Sequence, residues 1–167
     1  FCPISISTNS QEGVNHYISI INQLKASWNY FVHKKGVLCT GPLEGMAFFD
    51  IHQQGNPANF QFHFTPIWMG DQYGYDAYDF NSYPKVDGLT ILPTLLHPKS
   101  SGTVSLSSSN PFDAPVIQPN FLQEKEDLLH LLKGVRLALK VMEQAPLKKH
   151  RKAFGLQVDK KNDEELI

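Results

Sequence analysis

Seven histidines, two cysteines and a scatter of carboxylates are the residues of this 167-residue chain that could move protons, hold a metal or attack a substrate. The histidines are His16, His33, His52, His63, His97, His130 and His150. None stands in H-E-x-x-H or another ligand spacing, so the sequence offers no metal site. No serine occupies a G-x-S-x-G elbow, the strained turn that exposes a nucleophile. Cys2 and Cys39 make no CxxC pair and are too few for a disulfide framework. A metal-dependent or hydrolytic enzyme therefore has little support. His63 stands apart because of its neighbours. In Phe60-Gln61-Phe62-His63-Phe64-Thr65, alternation puts three aromatics on one face of a strand and Gln61, His63 and Thr65 on the other. That pattern suits a sheet with one face on the core and one toward a ligand, or equally a sheet histidine held by its polar neighbours. Phe49, Trp68 and the tyrosines of the Tyr73–Tyr83 stretch could add apolar or cation–π contacts, or simply fill core and pack locally.

The elements that must position this row can be read in outline. Tyr17, Ile21, Leu24, Trp28 and Phe31 are spaced by four, three, four and three, which predicts an amphipathic helix over 16–34 with this stripe facing the core. Lys34-Lys35-Gly36 suits its C-terminus. A turn at 41–45 leads into a short strand at 46–51, and Gly55-Asn56-Pro57 turns the chain into the strand over 60–67, which Pro66 ends or places at an edge. Residues 69–88 have no period and read as a long loop. Strands at 89–97 and 103–107 are expected to pair as a hairpin, with another short strand at Val116-Ile117. A second helix over 123–143 buries Leu128, Leu131, Leu132, Val135, Leu139 and Met142, and Gly134 within it implies close packing. The basic run 148–152 reads as a solvated helix end. Helix, strands, helix in this order predict an α+β fold with an antiparallel sheet.

Composition limits the function. Fifteen basic residues against sixteen acidic ones give a net charge of −1, so no strong field draws a phosphate backbone or an anionic lipid surface, and nucleic acid is not an expected partner. No apolar run of about 18 residues provides a membrane span. There is no signal-peptide pattern and no N-x-S/T sequon. The length allows one domain with a real core. The opening Phe1-Cys2-Pro3 reads as protein interior, and 162–167 as a helix start, so both ends read as cut.

One resemblance covers nearly the whole chain. Leu96-His97-Pro98-Lys99-Ser100-Ser101-Gly102-Thr103-Val104-Ser105-Leu106, followed by Asn110-Pro111-Phe112-Asp113-Ala114-Pro115-Val116-Ile117-Gln118-Pro119-Asn120-Phe121-Leu122, resembles the "RPKSRG-x-V-x-L…DPFDPPxIxPNYL" stretch of the glucose–methanol–choline oxidoreductases. Glu126-Asp127-Leu128 with Gly134-Val135-Arg136-Leu137-Ala138 is similar to that family's "EDLxxLxxGVRLAR". Gly36-Val37-Leu38 with Glu44-Gly45-Met46-Ala47-Phe48 looks like its "GPLxxxxxEAxAF", and 60–64 like its "DIQFHFxP". His97 and Ser101 stand where the family commonly has arginine; neither carries the family's chemistry.

The resemblance implies a substrate-binding domain, 1–167, with an antiparallel sheet, nominally six-stranded, flanked by helices. It implies an FAD-dependent oxidoreductase that moves hydride from an alcohol carbon to the flavin, choline dehydrogenase-like, with a small-molecule alcohol as partner. His63 matches a histidine that contacts substrate in choline-oxidising members. The family's G-x-G-x-x-G loop is missing from these residues, as is the "HPxGTxxMG" motif of its catalytic histidine, which would follow Ile167. The chain by itself is therefore expected to be inactive, with no catalytic, cofactor-binding or metal residue of its own. The expected substrate contacts are His63, Gln61, Thr65, Phe49 and Trp68. The competing expectation is a non-catalytic fragment that binds a partner.

Overall fold

The computed structural model describes residues 2–9, 11–52, 54–69, 79 and 82–154. Tyr73, Tyr75 and Tyr78 of the aromatic loop and the helix start expected at 162–167 lie outside the described residues.

Strands β1 (Ile4–Thr8), β2 (Gly45–Phe49), β3 (Phe60–Thr65), β4 (Gly88–Leu95) and β7 (Arg151–Phe154) form one sheet in the order β2-β3-β4-β1-β7. Every ladder in it is antiparallel. Two strands, β5 (Thr103–Ser105) and β6 (Val116–Gln118), form a separate ribbon. The helices are α1 (Ile20–Trp28), which continues in a widened turn over Asn29–His33, α2 (Lys125–Met142) and the short α3 (Ala145–Lys148). The fold is α+β, with five strands in the described sheet where the resemblance implied six.

The register assigns each residue to a face. Ile4 faces Ile91, Ile6 faces Leu89, Phe62 faces Pro93 and Phe60 faces Leu95, so these side chains share one side. On that side α2 lays down Val135, Ala138, Leu139 and Met142, spaced by three, one and three, and together they make the core. Gly134 is the point of closest approach: a Cβ there would overlap the far edge of the Phe60 ring. The close packing expected at this glycine is present, and the partner is a fully buried aromatic.

Three expectations need correction. The stripe of α1 does not face the core. Leu24 is 69% and Trp28 64% exposed, Ile21 and Phe31 are exposed too, and Ala26 is the buried residue of the helix. The reason is placement: α1 lies beside the sheet and packs on the segments Asn15–Ile18 and Val37–Cys39, not on a strand. Second, β5 pairs with β6 and not with β4, because both edges of β4 are already taken by β3 and β1. Third, the basic run is not all helix end: Arg151–Phe154 is an edge strand on β1, and His150 Nδ1 meets Glu12 Oε1 at 3.0 Å. Charged residues are common on edge strands because one side of the ladder stays open to water.

Candidate functional site at the polar face of the sheet

The second face of the sheet carries the candidate site. Three cross-strand rows build it: Phe48–Gln61–Thr94, Met46–His63–Leu92, and Thr65–Thr90–Ser5. Gln61, His63 and Thr65 therefore lie together, as alternation predicts. Gln61 and Thr65 are buried and His63 is half-buried. Gln61 Nε2 contacts Met46 Sδ at 3.6 Å. Ser5 Oγ and Thr90 Oγ1 share a hydrogen bond of 2.8 Å, and Thr90 Oγ1 donates to the Ile67 carbonyl at 2.6 Å. Two polar atoms on this face differ from the rest. His63 Nδ1 and Thr65 Oγ1 are buried and have no hydrogen-bond partner among the described residues. A buried polar atom left unpaired costs about 1–3 kcal/mol, so such atoms mark places where a further partner is favoured.

Phe49 is not on this face. It pairs with Phe60 across the ladder and packs edge-on against Phe62, with ring centroids 4.9 Å apart, so it belongs with the core. Its neighbour Phe48 is the aromatic that the polar face presents, and it is 58% exposed. Trp68 lies beyond the strand. Its amide donates to Asn15 Oδ1 at 2.7 Å, Asn15 Nδ2 returns bonds to the Trp68 carbonyl at 2.9 Å and the Pro84 carbonyl at 2.8 Å, and the indole base sits over Gly88. Trp68 Nε1 is also buried without a partner. Of the five expected contacts, the structure brings together His63, Gln61 and Thr65, sets Trp68 at the strand end and puts Phe49 behind the sheet.

Several positions on the face were not expected. Met46, Phe48, Leu92 and Thr94 face the same side as His63 only because of the register of β2 and β4 on β3. Asp87, buried ahead of β4, holds the loop that overhangs the end of this face. It accepts the Gln11 amide at 2.6 Å, the His16 amide at 2.9 Å and His16 Nδ1 at 3.0 Å. Among the described residues no group of three or more His, Cys, Asp or Glu could hold a metal ion.

The turn that leads into the ribbon is tied to α2 by Asp127, with an exposed Lys99–Glu126 ion pair beside it. Asp127 accepts the Lys99 amide at 2.9 Å, the Ser100 amide at 2.7 Å and the Ser100 hydroxyl at 2.5 Å. The Ser100 hydroxyl and then the Lys99 amide hold its pKa below the ordinary 3.8. Ser100 Oγ in turn accepts the Glu124 amide at the start of α2, at 3.0 Å. The Pro98-Lys99-Ser100 turn and the Glu126-Asp127 helix start, far apart in sequence, are thus one structural unit. A family profile described as GMC oxidoreductase matches residues 98–166, which include this unit. The alcohol dehydrogenase [acceptor] of Pseudomonas putida is 29% identical over 147 residues, covering 87% of this chain and 25% of that protein. Over these residues the chain is similar to the GMC oxidoreductases. Another such relative, the oxygen-dependent choline dehydrogenase of Staphylococcus haemolyticus, is 29% identical over 66% of this chain and 18% of its own length. The FAD- and quinone-designated glucose dehydrogenase of Drosophila pseudoobscura pseudoobscura is 35% identical over 43% of this chain and 11% of its own. The chain thus spans a quarter or less of these curated relatives. A structure of Aspergillus oryzae RIB40 formate oxidase aligns over 98% of this chain and 32% of that one, with a TM-score of 0.78 and 16% identity, which supports the fold.

Whether these residues could hold FAD can be tested on their geometry. The phosphate site of a dinucleotide fold is a glycine loop running from a strand into a helix N-terminus. Here α1 begins after Ser19 and α2 after Glu124, and no G-x-G-x-x-G precedes either. The described residues do not form a cradle for the dinucleotide. Across the described residues no helix is long and apolar enough to cross a membrane.

Proposed function

We propose that the chain is the substrate-binding domain of an FAD-dependent oxidoreductase acting on the CH–OH group of an alcohol. The observation that carries this reading is the polar sheet face: in a chain similar to the GMC oxidoreductases, His63 and Thr65 each hold a buried polar atom, unpaired among the described residues, on the side of the sheet opposite the core. The chain's residues bind and orient. His63 Nδ1 offers a hydrogen bond to the substrate hydroxyl, Gln61 and Thr65 fix its approach, and Met46 and Phe48 cover it from water. Hydride acceptance is the chemistry FAD supplies. Without a dinucleotide loop or an "HPxGT" motif among its residues, the 167-residue chain taken alone binds substrate and does not turn it over.

The test is to assay the full-length protein carrying this chain against choline, glucose and simple primary alcohols with an artificial electron acceptor, while following flavin absorbance. Substituting His63→Ala removes one hydrogen bond to the substrate and lowers kcat/KM about 10- to 100-fold. Full activity in that variant, or a protein that carries no flavin and oxidises no alcohol, refutes the reading.

A further inference from the structure

His52 and His130 meet where the turn after β2 touches α2. Their ring centres are 4.8 Å apart, with the planes inclined at 72°. Both residues are half-buried, and the function proposed above uses neither. The turn that carries His52 is built around Asp50. Its carboxylate accepts the His52 and Gln54 amides at 2.9 Å each, the Asn56 amide at 3.3 Å and Asn59 Nδ2 at 3.1 Å. Asn59 Oδ1 accepts the Ile51 amide at 2.9 Å. His130 stands on α2, which Val135, Leu139 and Met142 seat on the sheet. Each ring is thus carried by an element that the fold holds in place.

Two imidazoles on one metal ion have a predictable spacing. A metal–nitrogen bond of about 2.0–2.1 Å, with about 1.1 Å more from nitrogen to ring centre, sets the ion about 3.2 Å from each centre. The two centres then lie about 4.5 Å apart at a right-angled bite and about 5.2 Å apart at a tetrahedral one. The observed 4.8 Å falls between these limits. Turning a ring about χ2 leaves its centre in place, and that torsion is soft, so a nitrogen of each ring can be brought to face one ion. Burial, and then the neighbouring His52, push the His130 pKa below its ordinary 6.5, which favours the neutral imidazole that binds metals. Glu126 and Asp127 favour positive charge at this point, and Lys133 opposes it. We infer that His52 and His130 together chelate one nitrogen-preferring divalent transition-metal ion, of the copper and zinc class. The pair supplies two ligands, in keeping with the lack of a three-ligand group among the described residues, and water completes the shell. The ion clips the turn after β2 to α2.

The experiment is equilibrium dialysis of the full-length protein against Cu²⁺, with Mg²⁺ as the control ion, for the parent and for His52→Gln and His130→Gln. Cu²⁺ is the probe because it binds most tightly among first-row divalent ions at a nitrogen site, whereas Mg²⁺ prefers oxygen. Each variant leaves one imidazole in place of a chelating pair and weakens the binding of one Cu²⁺ by about 100-fold, because the second bond is intramolecular. In the unmodified protein Cu²⁺ shields His52 and His130 together from acylation by diethyl pyrocarbonate, read by peptide mass spectrometry, and Mg²⁺ does not. Equal Cu²⁺ binding by the parent and both variants overturns the inference. Should a variant fail to fold, shielding decides alone: His52 and His130 acylated at the same rate with and without Cu²⁺ overturn it.

Discussion

Replacing Gly134 by alanine sets two effects of opposite sign against each other. In an exposed helix interior the change would stabilise by about 1 kcal/mol, because glycine gives up more backbone freedom on folding than alanine. At 134 the new methyl would meet three carbons of the Phe60 ring, and that ring is fully buried among Phe49, Phe62 and α2. Neither side can yield freely, and overpacking of this kind costs about 1–3 kcal/mol. The net expectation is a loss of about 1 kcal/mol, which lowers Tm by about 2–4 °C in a chain of this size. The assay is thermal or urea unfolding of G134A, of Phe60→Leu and of the double variant. Phe60→Leu alone destabilises through lost packing, by about 1–3 kcal/mol. In the double variant the smaller side chain makes room for the methyl, so the two losses do not add, and a coupling of about 1 kcal/mol or more is expected. A G134A protein more stable than the parent by the full helix-propensity gain, with strict additivity in the double variant, would refute the Phe60–α2 contact and with it the seating of α2 on the sheet.

Asp127 links stability to acid. Its folded pKa is held below 3.8, so its contribution is complete above that value and is lost as pH falls through the lower folded one; hydrogen exchange or proteolysis of residues 99–122 should accelerate first in that range, and in Asp127→Ala already at neutral pH. His130 is pushed below its ordinary 6.5, first by burial and then by the neighbouring His52, whose ring centre lies 4.8 Å away. Its share of stability is present above pH 6.5 and is lost as pH falls through the depressed value; an NMR titration should find a midpoint that rises in His52→Gln. Asn15→Ala strips the partner from the half-buried Trp68 amide and should cost about 1–3 kcal/mol by unfolding.

What could be read in advance follows how local each feature is. The faces of β3 were legible because a period of two within six residues needs no partner to be seen. The helix α2 and its tight glycine were legible for the same reason. The stripe of α1 shows where periodicity stops: it reveals that a face is apolar, not what lies against it. Met46 and Phe48 joined the candidate site, and Phe49 left it, only through the pairing of β2 on β3, which spans a loop whose register no single residue specifies. The Asp127–Ser100 clamp joins positions 27 apart, and Asp87 reaches back to Gln11 across 76. Neither contact leaves a trace in local pattern. β7 was hidden by its composition, since Arg151 and Lys152 read as solvated charge until an edge strand is known to be there.

The alternation that separates the two faces also separates two kinds of change. In β1 and β3 the odd-numbered residues, and in β2 and β4 the even-numbered ones, look away from α2. Substitutions at 46, 48, 61, 63, 92 and 94 can therefore remodel what the face admits while Ile6, Phe60, Ile91 and Met142 go on packing undisturbed. A single-residue insertion inside β3 is the opposite case, since downstream of it aromatics and polar groups would trade sides and both layers would be lost together. The strand can thus diversify by replacement but not by change of length, which leaves length variation to the loops that flank it.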